Sequence, residues 1–206
     1  MHARSTTFRD RPAALDSGIA LVRDELMPTL LDLPGCSGLS MLVDRGSGTC
    51  IITTAWDDEQ ALRRSADVVA QLRRRAAEHF GARPSVQSWE IALLHRAHAT
   101  GEGARARLTW MRMPRRLVDA HAQDFRALLL PRAEVLPGFC SASLLVDRLT
   151  GRAALAVVYD SREALAASRD AAAELRADVV RRTSSELLDV AELDVALANL
   201  RVPETV

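Results

Sequence analysis

Lysine is absent from this chain: all 27 basic residues are arginine. That excludes a Schiff-base lysine, a phosphate-loop lysine and a lysine general base. Acidic residues also number 27, so the formal net charge is zero and the electrostatic footprint of a nucleic-acid binder is missing. Cysteine is scarce: Cys36, Cys50 and Cys140 are odd in number and lack metal-ligand spacing, which reads as a reduced protein and not a disulfide scaffold. No apolar run approaches the roughly 20 residues of a membrane span, and the start, Met1-His2-Ala3-Arg4-Ser5-Thr6-Thr7, has no apolar leader segment. The expectation is a soluble, cytoplasmic protein with neither a nucleic acid nor a membrane as partner.

What the chain has is an internal duplication. Leu33-Pro34-Gly35, Ser40, Leu42-Val43-Asp44-Arg45, Gly48, Asp57, Ala61-Leu62, Ser65, Asp67 and Leu72-Arg73 return as Leu136-Pro137-Gly138, Ser143, Leu145-Val146-Asp147-Arg148, Gly151, Asp160, Ala164-Leu165, Ser168, Asp170 and Leu175-Arg176. The offset is constant at 103 residues, and 17 of 41 positions from Leu33 to Arg73 are identical without a gap. Such self-similarity divides the chain into two copies: residues 1–98, a linker at 99–104 carrying Gly101 and Gly103, and residues 105–206. Each copy is small and would bury a limited core, so the two are expected to pack on each other.

Each copy reads strand, helix, strand, strand, helix, strand. Ile19, Val22, Leu26 and Leu30 step at helical spacing over about Ala13 to Asp32, as Ala122, Phe125, Leu129 and Ala133 do in copy two. Pro28 and Pro131 are equivalent and should bend or end both helices. Two apolar strands follow, near Gly38 to Val43 and Thr49 to Trp56, joined by a turn at Asp44-Arg45-Gly46-Ser47-Gly48. Asp57 and Asp160, with Gln60 and Glu163 three residues on, are expected to cap the second helices. Last strands fall near Val86 to Leu94 and Val190 to Ala198, after one extra residue in copy two. The strands are apolar on both faces, and such sheets must be covered twice. The fold expected is α+β: two tandem ferredoxin-like βαββαβ repeats packed sheet to sheet as an intrachain dimeric α/β barrel.

The βαββαβ order, the Leu-Pro-Gly turn, the Leu-Val-Asp-Arg hairpin and the aromatic-Asp step at Trp56-Asp57 and Tyr159-Asp160 resemble the antibiotic biosynthesis monooxygenase-like branch of the dimeric α/β-barrel superfamily. Within it, Trp89-Glu90-Ile91-Ala92-Leu93-Leu94-His95-Arg96, Gly138-Phe139-Cys140-Ser141-Ala142-Ser143-Leu144 and Leu200-Arg201-Val202-Pro203 are similar to tandem-domain proteins of mycobacteria and related actinobacteria. The resemblance covers nearly the whole chain. It implies a monooxygenase-like barrel binding a small apolar or aromatic molecule, with catalysis open, because one fold hosts many chemistries. Two alternatives accompany it: a cofactor-independent monooxygenase acting on a phenolic or quinol substrate, and a non-catalytic structural or regulatory assembly protein. A homo-oligomer is a further expectation. Haem-degrading relatives carry a tryptophan and a histidine at positions that fall here on Ser65 and Arg74, and on Ser168 and Ala177 in copy two. The pair is missing, so no cofactor is expected.

Candidate ligand-binding residues are Trp56, Tyr159, Trp110, Arg112 and His121. Trp56 and Tyr159 are repeat equivalents, which also suits aromatics closing a core. His121 would serve as a pocket base or as a solvated residue. His95 and His98 lack a third ligand nearby, so no metal site is expected. Arg9 and Arg112 on the first strands, with Glu90 and Asp194 on the last, are expected to form the cross-strand ion pairs Arg9–Glu90 and Arg112–Asp194. Asp44-Arg45 and Asp147-Arg148 suit hairpin corners.

Overall fold

The computed structural model describes residues 1–9 and 12–200. The strands are β1 (His2–Arg9), β2 (Cys36–Asp44), β3 (Thr49–Trp56), β4 (Ser85–Arg96), β5 (Arg105–Arg112), β6 (Phe139–Asp147), β7 (Arg152–Tyr159) and β8 (Glu186–Leu200). Hydrogen bonding orders them β1-β3-β2-β8-β5-β7-β6-β4 and closes the series, a tandem ferredoxin-like fold of the α/β-barrel class. The resemblance at Arg201-Val202-Pro203 lies outside the described residues.

The compact units do not coincide with the sequence copies. Among the described residues, unit 1 comprises 1–89 with 194–200, and unit 2 comprises 90–193. The divisions fall inside β4 and β8. In unit 1, β3 pairs antiparallel with β1 and β2, and the end of β8 joins β2 with Asp194 opposite Val43. In unit 2, β7 pairs antiparallel with β5 and β6, and the end of β4 joins β6 with Glu90 opposite Val146. Each last strand therefore completes the sheet of the other copy. Val43 and Val146 are equivalent at the 103-residue offset, so both crossings use one register.

That crossing corrects the expected ion pairs. Glu90 meets Arg148, at 2.5 and 2.8 Å, while Asp194 meets Arg45 at 3.2 Å. Arg112 pairs with Glu186 at 2.8 Å, and Arg9 is exposed at the end of β1. The hairpin arginines also reach the first helices: Arg148 bonds Asp119 at 2.8 Å and Arg45 bonds Asp16 at 2.7 Å. These triads are repeat equivalents and tie turn, helix and crossing strand together. Asp44 and Asp147 instead accept from their own turns, from Gly46 N and Ser47 Oγ and from Leu149 N and Thr150 Oγ1.

The first helix of each copy does not end at its proline but changes to a wider turn ahead of it. In copy one, α1 (Leu15–Leu21) leads through a π-turn at Val22–Leu26 into α2 (Met27–Leu31). Copy two has α5 (Val118–Asp124), a π-turn at Phe125–Leu129 and α6 (Leu130–Glu134), with α3 (Glu59–Arg64) and α4 (Ala66–Phe80) lying earlier in the chain. A proline lacks the amide donor and its ring crowds the carbonyl four residues back; the wider π-turn ahead of Pro28 and Pro131 accommodates both effects.

The second helices, α3 and its equivalent α7 (Arg162–Ala167), are capped one residue later than expected. Asp58 accepts from Ala61 N at 2.7 Å and Ser161 from Ala164 N at 3.2 Å. Asp57 and Asp160 are held by the preceding turn, their amides donating to Gly35 O and Gly138 O. Gly35 and Gly138 have φ of +80° and +69°, and a Cβ there would lie 2.6 and 2.5 Å from the Cβ of Ala61 and Ala164. Glycine satisfies both the left-handed backbone and the close approach.

Each unit has its own core. In unit 1, Phe8, Val22, Leu39, Met41 and Trp56 are buried, with Phe8 stacked on Phe80 of α4 at 4.9 Å. In unit 2, Leu93, Val118, Phe139, Leu144 and Val146 are buried, with Val179 of α8 (Arg169–Thr183) among them. Burying each such side chain contributes roughly 1.5–3 kcal/mol.

Candidate functional site

Each unit holds a cavity between its sheet and its helices. The unit 2 cavity, about 50 Å³, is walled by Arg107, Thr109 and Met111 of β5, Leu155, Val157 and Tyr159 of β7, Phe125 and Leu129 of the π-turn, and Ala172, Leu175, Arg176 and Val179 of α8. The unit 1 cavity, about 40 Å³, is walled by Arg4, Thr6 and Phe8 of β1, Ile52 and Thr54 of β3, Leu26 and Leu30, and Val69, Leu72, Arg73 and Ala76 of α4. Every one of these unit 1 residues has its repeat equivalent in the other wall. The strand residues are selected by twofold alternation and the helix residues by helical spacing.

The unit 2 cavity has a buried arginine at its base. Arg107 is 4 % exposed. Its Nη1 donates to Ser168 Oγ at 2.8 Å, and its Nη2 donates to Leu165 O at 2.8 Å and to Glu192 Oε1 at 2.9 Å. The guanidinium carbon lies 5.6 Å from the centre of the Tyr159 ring, within cation–π range. Glu192 also accepts from Arg169 at 2.7 Å, and hydrogen bonds from Arg169 first and Arg107 next hold its carboxyl down at about 2. Across the cavity, the Nη1 of Arg176 is buried with no hydrogen-bond partner among the described residues. Burial, then the charge of Arg107, lowers the Arg176 guanidinium below its usual range.

The unit 1 cavity repeats the arginines without the carboxylate. Arg4 Nη2 donates to Leu62 O at 3.1 Å, the counterpart of the Arg107 bond to Leu165. Its Nη1 is buried and has no partner among the described residues. Burial and then the neighbouring Arg73 push the Arg4 guanidinium down. Trp56 stands where copy two has Tyr159, and its Nε1 donates to Thr54 Oγ1 at 3.1 Å.

Of the residues expected to bind a ligand, Tyr159 lines the unit 2 cavity and Trp56 is fully buried beside Thr54 of the unit 1 wall. Trp110 and Arg112 alternate with the lining residues of β5 and so take the other face of that strand. His121 is buried on α5 outside the cavity lining, and burial, outweighing Asp124 and the Thr183 backbone, pushes its pKa down. Sequence reading passed over Arg4, Arg107, Glu192 and Arg176, although Arg4/Arg107 and Arg73/Arg176 recur at the repeat offset. An arginine on a strand ordinarily marks a solvated face, which hides this signal.

Other chemistry is poorly served. Burial raises the Cys50 thiol to about 12 and the Cys140 thiol to about 11, so neither is a ready nucleophile. No cluster of three metal-ligating side chains occurs among the described residues. The positions of the haem-family pair do not fit haem: Ser65 and Ser168 are buried and donate to Leu62 O and Leu165 O, while Arg74 and Ala177 are exposed and Ala177 has no ligating atom. Among the described residues, no helix is long and apolar enough to cross a membrane.

Comparison with known proteins places this geometry in a family. No family model matches the chain. The uncharacterised protein Rv2557 of Mycobacterium tuberculosis is 47% identical over 206 residues, covering 100% of this chain and 92% of its own length. Among solved structures, a candidate monooxygenase from Fusobacterium nucleatum matches with a TM-score of 0.70 at 14% identity, over 97% of this chain and 94% of the other. An anthrone oxidase-like protein matches with a TM-score of 0.64 at 14% identity, over 98% and 94%. These two likenesses establish the fold and leave the reaction open. The chain belongs to the family of the Mycobacterium tuberculosis protein Rv2557, and its own fold is the ferredoxin-like one found among antibiotic biosynthesis monooxygenase-like proteins.

Proposed function

We propose that this protein binds a small, largely apolar or aromatic molecule in its sheet-and-helix cavities. The observation that carries the reading is the repetition of one cavity: the duplicated sequence has kept an apolar wall with two inward arginines in both copies. Apolar concavities with a few convergent polar groups are the usual form of small-molecule sites. A cytoplasmic setting and self-association are parts of the same proposal.

A second reading, cofactor-independent oxygenation of a phenol or quinol, draws support from the arginine pairs, since guanidinium groups stabilise a phenolate. The described lining residues include no carboxylate and no histidine to remove the phenolic proton. Binding is therefore the leading reading, and oxygenation requires the substrate to arrive ionised.

The test is a thermal-shift screen of substituted phenols, quinols and aromatic acids against the wild type and Ala172→Leu, which fills the unit 2 cavity. Binding predicts a raised melting temperature that this variant loses for ligands of that cavity. If no aromatic compound shifts either protein, the binding reading is wrong. Oxygen uptake with a bound quinol, lowered in Tyr159→Phe, would put the oxygenase ahead.

A further inference from the structure

The two cavities share a shape but differ in charge balance. In unit 2, Arg107 faces Glu192 at 2.9 Å, and that carboxylate is shared with the exposed Arg169. The crossing registers make Asp194 the counterpart of Glu90, so Glu192 corresponds to Ser88 two residues earlier on β4. Arg169 corresponds to Ala66. Unit 1 has thus kept Arg4 and Arg73 while carrying no acid at the position that neutralises Arg107. In unit 1 the strand that carries Ser88 is held to β1 by Trp89 Nε1, which donates to Ser5 Oγ at 2.8 Å.

A buried guanidinium donor without an acceptor is costly, and a like charge beside it raises the cost further. The described wall of the unit 1 cavity cannot remove that cost, because beyond the arginines it offers only the hydroxyls of Thr6 and Thr54 among apolar side chains, and Thr54 Oγ1 is already engaged with Trp56. A ligand oxyanion would remove it, through charge-assisted hydrogen bonds of the arginine–carboxylate kind.

We propose that the unit 1 cavity is a carboxylate-selective subsite: Arg4 Nη1 donates to the carboxylate of a small apolar acid, Arg73 faces the same charge, and Phe8 and Ile52 receive its hydrocarbon part. The unit 2 cavity, with Glu192 already set against Arg107, takes a neutral acceptor such as a carbonyl on Arg176. The inference rests on the small-molecule reading above and assigns a ligand class to one of its two sites.

The experiment is a ¹H–¹⁵N NMR titration of the full chain with benzoate and its neutral isostere benzamide, and with the smaller pair acetate and acetamide. The acids should perturb amides around Arg4 and Arg73 and bind there about tenfold more tightly than the amides, the usual value of a charged hydrogen bond. Ser88→Glu, which places an acid where copy two has Glu192, should remove that preference on an exposed site without disturbing the core. Arg4→Gln should do the same. Equal binding of acid and amide in unit 1, or an acid preference that survives Ser88→Glu, would overturn the carboxylate assignment and leave small-molecule binding standing. No binding of any probe to either unit would overturn both.

Discussion

Arg107 and Glu192 lie 2.9 Å apart, the arginine side chain 4 % exposed and that of the glutamate 30 % exposed. The pair joins β5 to β8 at the point where Ser168, Leu165 and Tyr159 also converge on the guanidinium. Removing the carboxylate leaves a buried cation with neutral acceptors alone.

Glu192→Gln should therefore lower unfolding free energy by about 1–3 kcal/mol at pH 7, below the cost of breaking a fully buried pair because Glu192 is partly solvated. The pH dependence follows from the carboxyl being held at about 2 in the folded protein, below its usual unfolded range. The unfolded chain takes up the proton first, so the stabilisation is complete above roughly pH 4.5 and fades as pH falls towards about 2. Urea titrations at pH 7, 4 and 3 should show this component in the wild type and its absence in Glu192→Gln. Parallel pH profiles for the two proteins would contradict it.

Glu90 is the crossing-strand acid that meets Arg148. Arg148 is raised above its usual range by Glu90 first and Asp119 next, yet it is substantially solvated. Glu90→Gln should cost no more than about 1 kcal/mol, less in high salt, and leave ligand affinity of both cavities unchanged. Lost binding with unchanged stability would make Glu90 part of a site.

Ser184 ends α8 with φ +49°, the one non-glycine residue of positive φ among those described, and its counterpart Gly81 ends α4 with φ +63°. The left-handed region costs an L-residue about 1 kcal/mol. Ser184→Gly should raise stability by up to that amount, offset in part by the freer unfolded chain. A chemical denaturation midpoint that falls would show that the serine side chain does more than cap.

The thiols should separate by burial. Cys36 is half-buried, whereas Cys50 and Cys140 are buried with raised pKa values. A chromogenic disulfide reagent at pH 8 should titrate one cysteine rapidly in the native protein and all three in denaturant. Cys36→Ser should abolish the rapid phase.

Periodicity and duplication, which are local properties, were enough to determine much from sequence. The 103-residue repeat and the βαββαβ order follow from identities and spacing that need no partner. What the tertiary structure alone decided is where each strand finds its neighbour. Sequence marks last strands near Val86 to Leu94 and Val190 to Ala198, which the structure extends to Ser85–Arg96 and Glu186–Leu200, but carries no mark of their crossing at residues 89/90 and 193/194, because hydrogen-bond pairing is sequence-independent along a backbone. That crossing decided that Glu90 meets Arg148 in place of Arg9. It also set Glu192 against Arg107 and left Ser88, not an acid, at the matching register position of β4. Strand alternation put Arg107 inside and Arg112 on the opposite face, and only the packed helices showed which face was the cavity. Charge inside an apolar wall is a long-range outcome, and two arginines that look like surface residues in the sequence become the most informative side chains once α4 and α8 close over them.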